Sequence, residues 1–470
     1  MVTHHRTSLH RAARPFLRRP IVAAGVSASA AALVLGTSLL AAPAAVAATA
    51  PVQVGLFGTQ DPTYNGAFRQ SLSLLAYSAA GTTPPAEAVT WLLGQQCADG
   101  GFQAFRPDPS AACQKSDPAA YSGEDTNSTG LAAAALRAIG RTAAADRALA
   151  WILAAQNPDG GFPYFVGGDS DANSTAVVLL GTNTDGRAPA SVQRGGVSAA
   201  DFLDSLQIGC DGAATDDDGG FAFQSYGPGT LTDNDAASAQ ATLARSGVGL
   251  PVPAGTVSST VPRATCPSTA SPTLSAAELG AGHLARLLDA FGGAVPLYDY
   301  ATSARVPGSV SPGDTAWATL SLAAVGVGSA QMTAAIGVLG AQPLKTTALR
   351  GKATGASSTA TALSDDAGQI ALAALATSAA GGSATTVRSY VTRIGATMRV
   401  MPAATSPTPT STSSATATAS ATPSPSVSDD GALAPTGTTP LTPGLAALGS
   451  LLLLLGAVAL GSTRRRGAHA

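Results

Sequence analysis

Between residues 51 and 402 the chain alternates two kinds of apolar segment. The first kind is small and apolar on nearly every side. LAAAALRAIG follows Asp125-Thr126-Asn127-Ser128-Thr129, AVVLLG follows Asp171-Ala172-Asn173-Ser174-Thr175, and AASAQATLARSG follows Asp233-Asn234-Asp235. Fainter versions follow Tyr64-Asn65, Gly313-Asp314 and Ser364-Asp365-Asp366. A helix that is apolar all round is buried on most sides. Asp, Asn, Ser and Thr at its start accept from the free N–H groups of the first turn. The second kind is amphipathic and falls near 86–96, 144–156, 197–207, 275–291, 329–341 and 384–396. The buried helices start near 65, 127, 173, 235, 314 and 366, so the strict alternation predicts six helical hairpins.

The amphipathic segments carry an internal repeat. Trp91 and Gln96 lead to Asp99-Gly100-Gly101-Phe102, and Trp151 and Gln156 lead to Asp159-Gly160-Gly161-Phe162, each matched position 60 residues on. A third copy has Phe202, Gln207 and Asp218-Gly219-Gly220-Phe221. Glycine reaches the left-handed conformations that end a helix, and the Phe after the turn can pack back on the helices. Later copies are degenerate: Phe291-Gly292-Gly293, and Gln342 with no Gly-Gly after it. An open solenoid needs polar terminal repeats; none is evident. The expected fold is therefore all-α, a ring of six inner and six outer helices over 51–402.

Gln156 followed by Asp159-Gly160-Gly161-Phe162 resembles the QW-type repeat of the terpenoid cyclase and protein prenyltransferase toroid superfamily, with Phe where the motif prefers Trp. The resemblance implies an α/α toroid with a central cavity opening where the inner helices begin. The superfamily includes squalene-hopene cyclases, protein prenyltransferase β-subunits, thioester proteins and cobalamin carriers, so the fold leaves function open.

Charge changes the picture only when it is divided. The whole chain carries 26 Lys+Arg and 28 Asp+Glu, but eight Arg lie in the first 47 and last 33 residues, leaving 18 against 28 between them. An acidic middle excludes nucleic-acid binding, which wants a basic face. The basic ends read as export and anchoring. Arg6, Arg11, Arg14, Arg18 and Arg19 precede an apolar stretch and Ala45-Val46-Ala47, a signal peptide over 1–47. Residues 403–432 are rich in Pro, Ser, Thr and Ala and read as a disordered stalk. Leu433-Ala434-Pro435-Thr436-Gly437 follows, then an apolar transmembrane segment at 441–461 and a basic tail at 462–470 with Arg464-Arg465-Arg466. This order resembles the LPxTG-like (LAxTG) cell-wall sorting signal of Gram-positive surface proteins. It implies a membrane-anchored precursor, cleavage between Thr436 and Gly437 by a sortase, and covalent attachment to cell-wall peptidoglycan on the outer surface. Four cysteines, Cys97, Cys113, Cys210 and Cys266, agree with export and two disulfides. Of three connectivities, Cys97–Cys113 with Cys210–Cys266 is favoured because each bridge staples one long loop.

The candidate chemistry is thin. A cyclase acid reads D-x-D-D; Asp169-Ser170-Asp171-Ala172 and Asp233-Asn234-Asp235-Ala236 both lack the last Asp, and the inner helices offer Phe68, Tyr77 and Trp317 as aromatics. No metal set is expected, because His283 is the one histidine of the exported region and reads as a surface residue of an outer helix. A glycosidase needs two carboxylates. The candidates are Glu124, Asp125, Asp171, Asp233, Asp235, Asp314 and Asp366, which would ring one mouth, though helix capping accounts for the aspartates too. Asp211–Asp218 is an acidic loop without EF-hand spacing, and Asn127 and Asn173, which fit a glycosylation pattern, read as caps. The expectation is a surface protein whose toroid binds a small ligand or a protein partner without catalysis. No cofactor is expected beyond a cobalamin-like ligand as one version of that capture. The alternative is an exported enzyme, terpenoid cyclase-like or carbohydrate-active, using the Asp ring.

Overall fold

Both kinds of segment become helices where the pattern places them. In a computed structural model, which describes residues 53–210, 215–225, 231–264, 274–299, 304–347 and 363–400, the small-residue segments form α1 (Gly66–Ala79), α3 (Thr126–Ala138), α5 (Ala172–Thr184), α7 (Asp235–Arg245), α9 (Pro312–Val325) and α11 (Ala367–Ala379). The amphipathic segments form α2 (Ala86–Gln95), α4 (Thr142–Ala154), α6 (Ala199–Ser205), α8 (Ala276–Ala290), α10 (Ser329–Ala341) and α12 (Ala384–Ala396). The signal peptide, stalk, sorting motif Leu433–Gly437, apolar segment 441–461, basic tail and Cys266 lie outside the described residues. No helix among the described residues is long and apolar enough to cross a membrane.

The inner helices close a ring. α1 packs on α3, α3 on α5, α5 on α7, α7 on α9, α9 on α11, and α11 returns to α1. Each outer helix packs on the inner helix before it. The ends of the toroid are tied by backbone: Gly55 donates to the Arg399 carbonyl and Arg399 to the Leu56 carbonyl, both at 2.9 Å. The result is an α/α toroid. Small residues allow it, because six helices around one axis must approach closely. At the α3–α5 contact a Cβ on Gly181 would stand 2.6 Å from the Gly130 carbonyl oxygen. Every residue of α5 from Ala172 to Asn183 is buried.

The repeat motif is the mortar of the outer layer. In each clear copy the first glycine has positive φ and touches the backbone of the next outer segment. A Cβ on Gly100, Gly160 or Gly219 would fall 2.3, 2.5 or 2.4 Å from the carbonyl oxygen of Arg147, Ser198 or Leu279. The second glycine seats the next aromatic: Gly101 lies under Trp151 and Gly161 under Phe202, where a Cβ would stand 2.8 Å from either ring. The glutamine crosses the same seam. Gln96 Nε2 donates to the carbonyls of Gly100 and Ala144, Gln156 Nε2 to Gly160 and Val192, and Gln207 Nε2 to Gly219 and Ala276. Phe102, Phe162 and Phe221 are fully buried, each contributing about 1.5–3 kcal/mol of transfer free energy. Their backbone N–H groups donate to Thr129, Thr175 and Ser238 in the following inner helix. The degenerate copy keeps this bond, from Val295 N to Thr315 Oγ1, and Gly293 keeps the close approach, to Ala334.

Several local readings need correction. Asp125, Asp171 and Asp366 cap their helices as expected, but Asn234 caps α7, with Asp233 and Asp235 on either side, and Ser311 caps α9, with Asp314 in its first turn. Asn127 and Asn173 are not caps, because Asp125 and Asp171 already accept from Ser128 N and Ser174 N. Among the described residues three two-stranded antiparallel pairs escaped the pattern: β1–β2 (Gln193–Arg194, Val197–Ser198), β3–β4 (Tyr298–Asp299, Ala304–Arg305) and β5–β6 (Lys345–Thr347, Leu363–Asp365). They are too short to show an alternation. Cys97 and Cys113 form the favoured disulfide, with Cα atoms 5.8 Å apart, and Cys210 is also disulfide-bonded.

Candidate functional site at the mouth of the ring

Because every inner helix is followed by an antiparallel return, the six inner N-termini share one end of the toroid. The candidate acids there are not equivalent. The Oδ1 of Asp125 accepts from Ser128 N at 2.6 Å, while its Oδ2 is buried without a partner; burial pushes the carboxyl up to about 7. Asp171 accepts from Ser174 N and Ser174 Oγ, both at 2.7 Å, and burial raises it to about 6. Asp314 accepts from Ser311 Oγ at 2.7 Å, has a buried unpartnered Oδ1, and is also raised by burial to about 6. Asp366 accepts from Gln369 N at 3.1 Å and is raised by burial, against the pull of the Arg69 guanidinium.

Asp233 and Asp235 are brought together, but around a cation. Arg305, delivered by β4, donates to Asp233 Oδ2 and to Asp235 Oδ1, each at 2.6 Å. Ser238 Oγ donates to Asp233 Oδ1 at 2.6 Å, and His283 Nε2 lies 3.4 Å from Asp233 Oδ2. His283 is therefore no surface residue: its side chain is 1% exposed, and its Nδ1 is 3.0 Å from the Asp216 carbonyl. Burial opposes the charge on both His283 and Asp233. Their attraction outweighs it, raising the imidazole and, with Ser238 and Arg305, holding the carboxyl below its usual range. Ligand atoms of Asp233, Asp235 and His283 lie within 4.8 Å of one another, a geometry open to a cation, but the Arg305 guanidinium is already the counter-charge.

Glu124 directly precedes the cap Asp125. It is buried beside the Cys97–Cys113 bridge, 3.3 Å from Lys115 Nζ, with Oε1 unpartnered, and burial together with Asp99 raises it to about 7. The mouth also has an aromatic cluster that the inner helices did not announce, because loops supply it. Tyr121 stacks on Tyr164 with centroids 5.8 Å apart and planes 7° from parallel, and both meet Phe165 edge-on. Beside Tyr164 is a cavity of about 20 Å³, lined by Tyr64, Phe68, Asn127, Asp171, Asn173 and Gln240 among others. That is space for about one water.

Asp125, Asp171, Asp314 and Glu124 have folded pKa values above their unfolded ones. Each therefore favours folding fully below its unfolded value near 4 and loses that contribution as pH rises through about 6–7. The expected result is a melting temperature higher at pH 5 than at pH 8. Asp125→Asn, which keeps a capping oxygen, should shrink the matching difference in unfolding free energy by about 1 kcal/mol or more; a flat or inverted pH profile would contradict it.

No family model matches the chain, and no curated protein matches it in sequence. Solved structures resemble it at low identity. A protein from Actinoplanes is 16% identical with a TM-score of 0.37, covering 72% of this chain and 92% of that one. The type II terpene cyclase MstE from Scytonema is 15% identical with a TM-score of 0.35, covering 60% and 72%. The ent-copalyl diphosphate synthase from Streptomyces platensis is 18% identical with a TM-score of 0.37, covering 67% and 49%.

Proposed function

We propose that this is an exported, sortase-anchored surface protein whose toroid binds a ligand at the mouth of its ring without catalysing a reaction. One observation carries the non-catalytic part: four of the six mouth aspartates are committed to structure. Asp171 and Asp366 serve as caps, while Asp233 and Asp235 are held by Arg305. The cavity of about 20 Å³ agrees, since a ligand there lies across the rim with one group inserted. A cobalamin-like molecule would likewise rest on the rim. Export and anchoring rest on the order of leader, stalk, LAPTG, apolar segment and Arg tail, with sortase and peptidoglycan as the partners of processing.

The enzyme reading keeps one observation in its favour: Asp125, with a buried free Oδ2 and a carboxyl near 7, is suited to proton transfer. The two readings separate on the triple variant Asp125→Asn, Asp171→Asn, Asp314→Asn. Native mass spectrometry of protein from its own host should show the same retained small molecule in variant and wild type. A ligand recovered chemically altered from wild type and intact from the variant would establish the enzyme instead. For the anchor, muramidase but not detergent should release the protein from purified walls, and detergent release would overturn it.

A further inference from the structure

We propose that the notch beside Tyr164 is a carbohydrate subsite, which takes a hydroxyl of a pyranose ring while Tyr64 supports the ring's apolar face. This rests on the binding reading above and names the ligand class.

The notch is sized and lined for one hydroxyl. Its volume, about 20 Å³, accommodates about one water-sized group. Its lining includes Asn127, Asn173, Gln240, Ser128, Ser174 and Tyr164, so residues with donors and acceptors surround it. A hydroxyl, which both gives and accepts a hydrogen bond, matches such a wall. Phosphate does not, because no Lys or Arg lines it. A cation does not, because Asp171, the one charged lining group, already accepts on both oxygens from Ser174. A wholly apolar guest would leave the polar side of the notch unpaired, while Phe68 and Val177 give it an apolar side that suits the C–H face of a sugar.

Gln240 adds a donor to the notch. The residue is 1% exposed and lines the notch, and its Oε1 accepts from Asn173 Nδ2 at 3.1 Å, which leaves Nε2 as the amide's donor for a guest hydroxyl. The aromatic side is equally specific. Tyr64 is 71% exposed on the lip, next to the N-cap of α1, with half-buried Phe68 one turn further on. Tyr164, which also lines the notch, stacks on the 42% exposed Tyr121. Rigid rings with a polar tip offer contact area at low conformational cost. A pyranose, with C–H groups on its faces and hydroxyls on its edge, meets a flat ring and a one-hydroxyl notch at once.

The test uses the full chain in a non-glycosidic detergent and four methyl pyranosides as probes: the glucoside, galactoside, mannoside and N-acetylglucosaminide. At least one should bind with a Kd on the order of millimolar, by saturation-transfer NMR and calorimetry. Tyr64→Ala, an exposed change that leaves folding intact, should weaken it about tenfold or more, with Tyr64→Phe within about twofold of wild type. Gln240→Leu should weaken it about tenfold at an unchanged circular-dichroism spectrum. If none of the four binds, or if Tyr64→Ala binds as wild type does, the subsite is overturned. In that case a non-sugar ligand retained in native mass spectrometry would leave the binding reading standing, and a chain with no ligand of any class would remove both.

Discussion

Replacing Arg305 by alanine is expected to destabilise the toroid by about 3 kcal/mol or more, measured by urea unfolding at pH 7. The Asp233 and Asp235 side chains are 3% and 7% exposed, and Arg305 is the guanidinium between them. Removing it leaves two buried carboxylates facing each other with His283 as the counter-charge within reach among the described residues. The cost is therefore that of stranding charge, and it exceeds the net worth of the pair itself. It should shrink at pH 4, because the stranded carboxylates then escape by taking up protons. Arg305→Lys should recover only part of the loss, since one ammonium cannot reproduce the forked donors that reach both carboxylates. Equal losses at pH 4 and pH 7 would mean that the side chain acts through packing alone.

Gly160→Ala should cost more, about 4 kcal/mol or above, enough to threaten folding of the whole ring. Two penalties add there. The backbone has φ of +85°, where a Cβ is strained by about 1–2 kcal/mol. The Cβ would also stand 2.5 Å from the Ser198 carbonyl oxygen, at the entry to α6, where backbone rather than a flexible side chain must give way. Gly186→Ala separates the two, because Gly186 has φ of +81° with nothing within 4 Å of a new Cβ. It should lose only the conformational part, about 1–2 kcal/mol. Similar melting temperatures for the two variants would show that the close approach at Gly160 is not needed.

How much was legible follows from how local each feature is. The helices were legible almost to the residue. α12 occupies 384–396 as read, and the inner helices begin at 66, 126, 172, 235, 312 and 367 against expected starts near 65, 127, 173, 235, 314 and 366. Capping by Asp125, Asp171 and Asp366 was legible for the same reason, since a cap and its N–H lie three residues apart. The positive-φ glycines of the Asp-Gly-Gly-Phe turns were legible as turn residues. Their second role, accepting the backbone and aromatic rings of the next repeat, was not.

His283 was misread because a histidine among small residues on an outer helix gives no sign of what covers it. Its partners come from Asp233 and from the loop at Asp216, and Arg305 reaches Asp235 across 70 residues of chain. Tyr121, Tyr164 and Tyr64 went unremarked as a group because they come from three separate segments. By itself, then, the sequence determined the helices, their order, the caps Asp125, Asp171 and Asp366 and the repeat that fastens neighbours, since these depend on interactions within a few residues. Only the tertiary structure decided which acids are stranded, capped or paired, and where the aromatic rings meet. Those outcomes depend on burial and on contacts between distant segments, and they come into being only when the ring closes.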